Sequence, residues 1–166
     1  MMKLAREQIL ELNEVYSRLL ELSHEKTAAL KGKDYDAISA ITEKEQEHID
    51  RAKALEEERM KTVAAMAQKW GVAEDKVTAQ ALIAKCGADE ADAMRDAVQA
   101  LTKTLAALRA QNEINSRLLE IKMRLASFIL EASREAAKDP GNYYNNDGTE
   151  LQKEEPTHPR FIDSEI

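Results

Sequence analysis

The chain has 166 residues, of which 31 are acidic and 24 basic, giving a formal net charge of −7. Nucleic acid is a poor partner for such a chain, because phosphate binding relies on clustered cations. No stretch approaches the roughly 20 apolar residues that a membrane span needs, and residues 1–10 carry no hydrophobic signal segment. A single cysteine, Cys86, allows no intramolecular disulfide, which suits a reducing compartment. We therefore expect a cytoplasmic protein without direct membrane insertion.

Glycine and proline divide the sequence into two parts. Residues 1–138 contain three glycines and no proline, and all three prolines lie beyond them. Gly32, Gly71 and Gly87 each follow a run of helix-forming residues, and glycine is favoured just past a helix end because it adopts left-handed dihedrals. The pattern predicts a helical domain over 1–138. Residues 139–166 hold seven acidic and two basic side chains, a net charge of −5, and are predicted to be an acidic tail, flexible or ordered by a partner.

Within the helical part we predict helices at about 3–31, 35–70, 79–86 and 89–138. Asp34 and Thr78 stand where N-caps of the second and the short third helix would lie. The connection around Gly32 is so short that the first two helices must fold back on each other. The predicted fold is all-α: an elongated antiparallel three-helix bundle or coiled coil with a long C-terminal helix, followed by an irregular tail.

Apolar residues at spacings of three and four predict which faces pack. Because aromatic residues make up only 4 % of the chain, the core must consist of aliphatic side chains. Three helices of unequal length cannot cover one another fully, so part of the first helix or the end of the long helix should stay exposed or be covered by a partner. The predicted core positions are Leu12, Val15, Leu19 and Leu22, then Ile38, Ile41, Ala52, Leu55, Met60, Val63, Ala67 and Trp70, then Met94, Leu101, Leu105, Leu108, Leu119, Ala126 and Ile129.

Two asparagines interrupt the apolar pattern of the long helix. Asn112 and Asn115 occupy positions where aliphatic residues are expected. A buried asparagine at a helix seam fixes register and partner number at some cost in stability. Alternatively, this section lines a docking groove and satisfies polar groups of a partner.

Two Glu-x-x-His sequences, Glu21/His24 and Glu45/His48, have the spacing of ligands in metal-binding helical bundles. His48 lies on the apolar pattern of its helix, whereas His24 does not, and a hairpin folded about Gly32 would not bring them face to face. No phosphate loop, Cys-x-x-Cys or nucleophile turn is present in the sequence. We expect neither enzymatic activity nor a cofactor or metal.

The order of these features resembles a known family. The sequence "EKTAALKGKDYDAISAITEKEQEHIDR" is a helix, a Gly-Lys-Asp break and a Glu-rich helix; "LRAQNEINSRLLEIKMRLASFIL" lies on the long helix, and "YYNNDGTEL" follows. Over roughly residues 5–150 the chain resembles the FlgN-type flagellar export chaperones. Other small flagellar secretion chaperones, which serve the filament cap, share the helical architecture.

The resemblance implies a cytoplasmic, ATP-independent chaperone of type III secretion. Such proteins bind the amphipathic helical end of hook–filament junction proteins, prevent premature self-association and deliver them to the export gate. The later half of the long helix then supplies the binding surface, and the alternative is that these side chains pack on the first helix. The expected cargo-binding residues are Leu118, Leu119, Met123, Leu125, Phe128 and Ile129, with Asn112 and Asn115 as polar groove or register residues.

The tail adds a second expectation from the same resemblance. A tyrosine after the last helix docks to the cytoplasmic domain of the export-gate membrane protein, and Tyr143 or Tyr144, before the turn sequence 145–148, occupies that place. Residues 150–166 could fold onto an unfilled groove as a mimic of cargo.

Two other functions are compatible with the sequence. The heptad-like helices would also suit a coiled-coil scaffold or adaptor that forms homo-oligomers. The Glu-x-x-His pairs would suit a metal-binding helical bundle built on His24 and His48.

Overall fold

The computed structural model describes residues 1–138, apart from the side chains of Asp89 and of residues 136–138. Four α-helices occur in this range: α1 (Met2–Gly32), α2 (Tyr35–Trp70), α3 (Ala79–Lys85) and α4 (Ala88–Lys138), with a 3-10 turn at Glu74–Lys76. No strand occurs in it, so the fold is all-helical. Each helix end lies within one residue of the position predicted from the sequence.

Polar caps define where α2 and α3 begin. The Ala37 amide donates a 3.0 Å hydrogen bond to Oδ1 of Asp34, and the Ala81 amide donates a 3.2 Å bond to Oγ1 of Thr78. Each bond satisfies an amide that has no partner inside the first turn of its helix. Both predicted N-caps are therefore confirmed.

The helix C-termini follow the glycine prediction only in part. Gly71 closes α2 in the left-handed conformation, with φ 65°. Gly32 lies inside α1, and Lys33 instead takes the left-handed conformation with φ 60°, its amide donating to the Ala29 carbonyl. Gly87 has no positive φ and instead precedes α4, where its carbonyl accepts from the Glu90 and Ala91 amides. The left-handed prediction is thus right at Gly71 and wrong at Gly32 and Gly87.

The chain forms two compact units, Met1–Met123 and Arg124–Ile166. In the first unit, ion pairs join α1 to α2: Lys26 to Glu45 at 2.6 Å and Glu11 to Arg51 at 3.7 Å. Residue numbers rise along α1 as they fall along α2, so the two helices run in opposite directions.

Hydrogen bonds join α1 to α4 in the same unit. The Thr104 hydroxyl donates to Oδ1 of Asn13 at 2.8 Å, and the Ser23 hydroxyl donates to Oδ1 of Asn112 at 2.7 Å. Residue numbers rise together along the two helices, so α1 and α4 run in the same direction.

The main apolar core lies where the start of α1, the end of α2, α3 and the start of α4 meet. A smaller cluster joins the end of α1 to the start of α2 through Leu22, Ala29 and Ile41. Several half-buried apolar residues, Trp70 and Leu101 among them, pack on the main cluster. Its buried members are Ala5, Ile9, Met66, Ala67, Val77, Leu82, Met94 and Ala97.

Five residues predicted to be in the core are exposed, namely Met60, Leu105, Leu119, Ala126 and Ile129. Met60 is 48 % and Leu105 is 40 % exposed. The buried face of α2 passes from Leu55 through the half-buried Arg59 to Val63, at spacings of four, and Met60 lies about 100° away from Arg59 around the helix. On α4 the half-buried residue at this level is Thr104, which donates a hydrogen bond to Asn13 of α1, and its neighbour Leu105 is exposed.

In the second unit the description covers residues 124–138 only, all within α4.

Among the described residues, each helix is too short or too polar to span a membrane. The predictions for Tyr143, Tyr144 and residues 150–166, and for the tail as a whole, concern residues outside this range.

Candidate functional site

The predicted cargo-binding residues lie on α4, and most of them are exposed. In the first unit Leu118 is half-buried, while Leu119 and Met123 are 49 % and 62 % exposed. In the second unit Leu125, Phe128 and Ile129 are 55 %, 69 % and 55 % exposed. The end of the long helix therefore carries uncovered apolar side chains, as predicted from the unequal helix lengths.

Sequence reasoning missed further members of this surface. Ile114, Ile121 and Leu130 are 47 %, 63 % and 54 % exposed. The sequence could have identified two of them, Ile114 and Ile121. They belong to one row of apolar residues on α4 whose spacings alternate between four and three, which is the heptad pattern of a helix that packs on another helix. We call the residues with this spacing the α4 seam: Ile114, Leu118 and Ile121 in the first unit, and Leu125 and Phe128 in the second.

A polar layer joins α1 to the middle of α4. Asn115 is 7 % exposed, and its Nδ2 donates to the Ser23 carbonyl at 2.8 Å and to the Ser23 hydroxyl at 3.0 Å. Its Oδ1 accepts from the Thr27 hydroxyl at 2.6 Å, which in turn accepts from Nε2 of Gln111 at 2.6 Å. Both donors of the Asn115 amide point to α1, which leaves the side chain no donor for a partner.

Asn112 occupies a different environment from Asn115. Its Oδ1 accepts from Ser23, yet the residue is exposed and lines a groove. Both asparagines line this groove. A register role has its physical basis at Asn115, which is buried and bonded to α1, and a groove role has its basis at Asn112, which is exposed. Both roles stay predictions.

The groove lies between α1, α2 and α4 within the first unit and has a volume of about 510 Å³. It contains the ion pair between Lys26 and Glu45, whose side chains are only 23 % and 15 % exposed. Most of the remaining lining is apolar. We call it the central groove; it is lined by Tyr16, Leu19, Lys26, Leu30, Ile38, Glu45, Ile49, Leu108, Asn112, Asn115, Ser116 and Leu119.

Tyr16 is the titratable aromatic residue of this groove. Burial raises the pKa of its hydroxyl above the usual value of 10.0, the charge of Glu56 raises it further, and Arg59 partly opposes both. The first two effects are those expected for an acid whose anion loses solvation beside another anion, whereas the Arg59 cation stabilises the phenolate and so lowers the pKa. The groove therefore favours a neutral phenol.

The two Glu-x-x-His sequences do not meet. His24 is exposed, whereas His48 is half-buried beside Glu11, Glu14, Arg18 and Arg51. In the described part of the chain no three histidine, cysteine, aspartate or glutamate side chains form a group that could hold a metal ion.

The sequence of this chain is similar to those of known proteins. The sequence model of one family, described as "FlgN protein", matches residues 2–152. The chain belongs to the FlgN family. A Bacillus subtilis (strain 168) protein named "Uncharacterized protein YvyG" is 33 % identical over 121 residues, covering 73 % of each chain. No solved structure matches. Membership in FlgN gives the chain the general role of a flagellar export chaperone.

Proposed function

We propose that this chain binds the amphipathic helical end of hook–filament junction proteins, prevents their premature self-association and delivers them to the flagellar export gate. It acts in the cytoplasm as an elongated antiparallel three-helix bundle, catalyses no reaction and uses no cofactor. The observation that carries the proposal is the run of large apolar side chains left uncovered on α4, from Ile114 to Leu130.

The uncovered apolar side chains of α4 form a surface that a partner can bury. Monomeric proteins rarely expose contiguous apolar patches larger than about a few hundred Å², and larger ones mark interaction sites. Burying one leucine, isoleucine or phenylalanine contributes about 1.5–3 kcal/mol. An amphipathic helix can cover the α4 seam, because its own apolar side chains recur at the same spacings of three and four. A junction-protein segment that otherwise self-associates offers such a helix.

Titration of the purified chain with purified junction proteins tests the proposal. Leu125→Glu combined with Phe128→Glu places two charges on the α4 seam and should weaken binding at least about tenfold, since each charge must be desolvated. Leu10→Glu is the matched control, because Leu10 is 46 % exposed on α1, and it should bind within about twofold of the original chain. An original chain that binds no junction protein would contradict the proposal.

Docking to the export gate is proposed for Tyr143 or Tyr144 on the strength of the family resemblance. Tyr143→Ala and Tyr144→Ala, made separately, should leave affinity for the junction proteins unchanged. One of them should lose binding to the cytoplasmic domain of the export-gate membrane protein in a pull-down assay. Unchanged binding by both variants would remove the tyrosines from this role.

The exposed α4 seam also favours a second candidate, a scaffold that self-assembles through that row. Sedimentation of the chain alone separates the two. A chaperone should sediment as a monomer or weak dimer and shift on addition of cargo, whereas a scaffold should assemble without cargo and lose assembly in the Leu125→Glu, Phe128→Glu variant.

A further inference from the structure

We infer that a cavity in the main apolar core is a binding site for a small neutral molecule with one aromatic ring and a hydroxyl group. The cavity lies among α1, α2, α3 and α4 within the unit Met1–Met123 and has a volume of about 280 Å³. The inference goes beyond the proposed function, since none of the described lining residues belongs to the central groove or the α4 seam. We call it the core cavity; its buried lining residues are Ala5, Gln8, Ile9, Met66, Val77 and Leu82.

A buried amide oxygen in this lining points to a ligand. Gln8 is 7 % exposed, and no donor in the described part of the chain forms a hydrogen bond to its Oε1. Thr62 and Thr102 also line the cavity, but each hydroxyl donates its one proton to a carbonyl four residues earlier in its own helix. A buried acceptor without a donor costs free energy, and a ligand that donates to Gln8 Oε1 removes this cost.

The position of Gln8 on α1 supports a polar contact. Ala5 and Leu12, three residues before it and four after it, are both buried, as is the neighbouring Ile9. This spacing places Gln8 on the buried face of the helix, where an aliphatic side chain is expected. Packing alone would favour an apolar residue at this position, so the amide indicates a hydrogen-bonding role.

The size of the core cavity matches one substituted ring. An engineered cavity of about 150 Å³ with an apolar lining binds benzene, so about 280 Å³ admits a ring with one or two substituents. Met66 is 1 % exposed in the lining, and thioethers make favourable contacts with aromatic rings. At the rim Thr102 and Leu105 are exposed, which gives the ligand access from solvent.

The charges beside the cavity favour a neutral ligand. Glu56 and Arg59 line it, and Nε of Arg59 donates to Oε2 of Glu56 at 2.7 Å. The other described lining residues carry no charge, so no net charge remains for a carboxylate or an ammonium group to neutralise. A phenol is neutral near pH 7 and donates through its hydroxyl. Its oxygen also accepts, so it can pair with either end of the Gln8 amide.

NMR titration of the original chain with p-cresol and with p-xylene tests the inference. The two molecules have nearly the same shape, and only p-cresol carries a hydroxyl group. Gln8→Leu removes the acceptor and keeps an apolar contact, so the ratio of p-cresol affinity to p-xylene affinity should fall at least about fivefold. Saturating p-cresol should also raise the unfolding temperature of the original chain, because a ligand that binds the folded state stabilises it.

A substitution at the rim locates the ligand. Thr102→Phe fills the core cavity from an exposed position on α4 and should weaken p-cresol binding at least about tenfold, because the two rings compete for one space. Lys103→Phe is the matched control, since Lys103 is the next residue, is exposed and lies outside the lining; it should bind within about twofold of the original chain. Equal helix content by circular dichroism shows that both variants fold.

Three results would overturn the inference. The first is no binding of p-cresol at millimolar concentration, and the second is an affinity ratio that stays the same in Gln8→Leu. The third is unchanged p-cresol binding by Thr102→Phe, which would place the ligand on the exposed apolar side chains of α4. Failure of the original chain to bind any junction protein would contradict the proposed function alone.

Discussion

The beginning and the middle of α4 are held in place by opposite means. At the beginning, Met94 and Ala97 are 1 % and 3 % exposed within the main apolar core. In the middle, Asn112 and Asn115 are bonded to Ser23 and Thr27 of α1, and the central groove opens beside them. Apolar packing holds the beginning of the helix, whereas hydrogen bonds hold its middle beside an open groove. A chaperone needs both, a stable support and an uncovered surface.

The largest effect is expected at the apolar anchor. Met94→Ala removes a side chain that is 1 % exposed, and such substitutions cost about 2–5 kcal/mol because a cavity remains. Urea unfolding followed by circular dichroism measures the loss. Met123→Ala, at a position that is 62 % exposed, is the matched control and should change the free energy of unfolding by less than about 0.5 kcal/mol. Equal losses at the two positions would contradict the distinction between core and exposed surface.

A smaller effect is expected in the polar layer. Asn115→Ala removes the acceptor of the Thr27 hydroxyl and the donor to the Ser23 carbonyl and hydroxyl, at a cost of about 1–3 kcal/mol. A double-mutant cycle with Ser23→Ala should give a coupling energy of about 0.5 kcal/mol or more, because the two side chains are in direct contact. Additive effects would mean that the α1–α4 hydrogen bonds do not hold the helix.

The ion pair in the groove should contribute less again. Lys26→Ala leaves Glu45 partly buried without its cation, and we expect a loss of about 1–2 kcal/mol. Arg18→Ala breaks the exposed pair between Arg18 and Glu21, whose side chains are both 60 % exposed, and should leave the free energy of unfolding nearly unchanged. Equal effects of the two substitutions on the free energy of unfolding would show that the groove does not shield its charges.

The smallest effect concerns pH. Because the pKa of Tyr16 is raised in the folded state, the unfolded chain loses this proton first as pH rises, and the stabilising effect of the neutral phenol is lost above pH 10. Thermal unfolding between about pH 9 and 11 should therefore show a steeper fall for the original chain than for Tyr16→Phe. Identical slopes would place Tyr16 in a fully solvated environment.

Local features were predictable from the sequence because they depend on neighbouring residues. The helix bounds and the caps at Asp34 and Thr78 follow from propensity and capping, which act within one turn. At the end of α1 the left-handed conformation was predicted at Gly32, one residue before its observed position at Lys33. Glycine favours this conformation, but lysine also tolerates it. Met60 was misplaced because a spacing of five residues was accepted where the helix continues at four.

The binding surface was predictable only in part. Exposure at the end of the long helix follows from unequal helix lengths, and the heptad spacing could also have identified Ile114 and Ile121. The hydrogen bonds from Asn115 to Ser23 and the volume of the central groove depend on the distance between the packed helices. That separation is a tertiary property which no local pattern encodes.

Hydrogen exchange of the chain, measured by mass spectrometry with and without a purified junction protein, tests the central claim most directly. We predict slower amide exchange in the complex over 114–130, which includes the α4 seam, because a docked helix suppresses local opening there. The exchange of the core around Met66 and Met94 should stay unchanged. Binding that slows exchange elsewhere and leaves 114–130 as in the free chain would contradict the account.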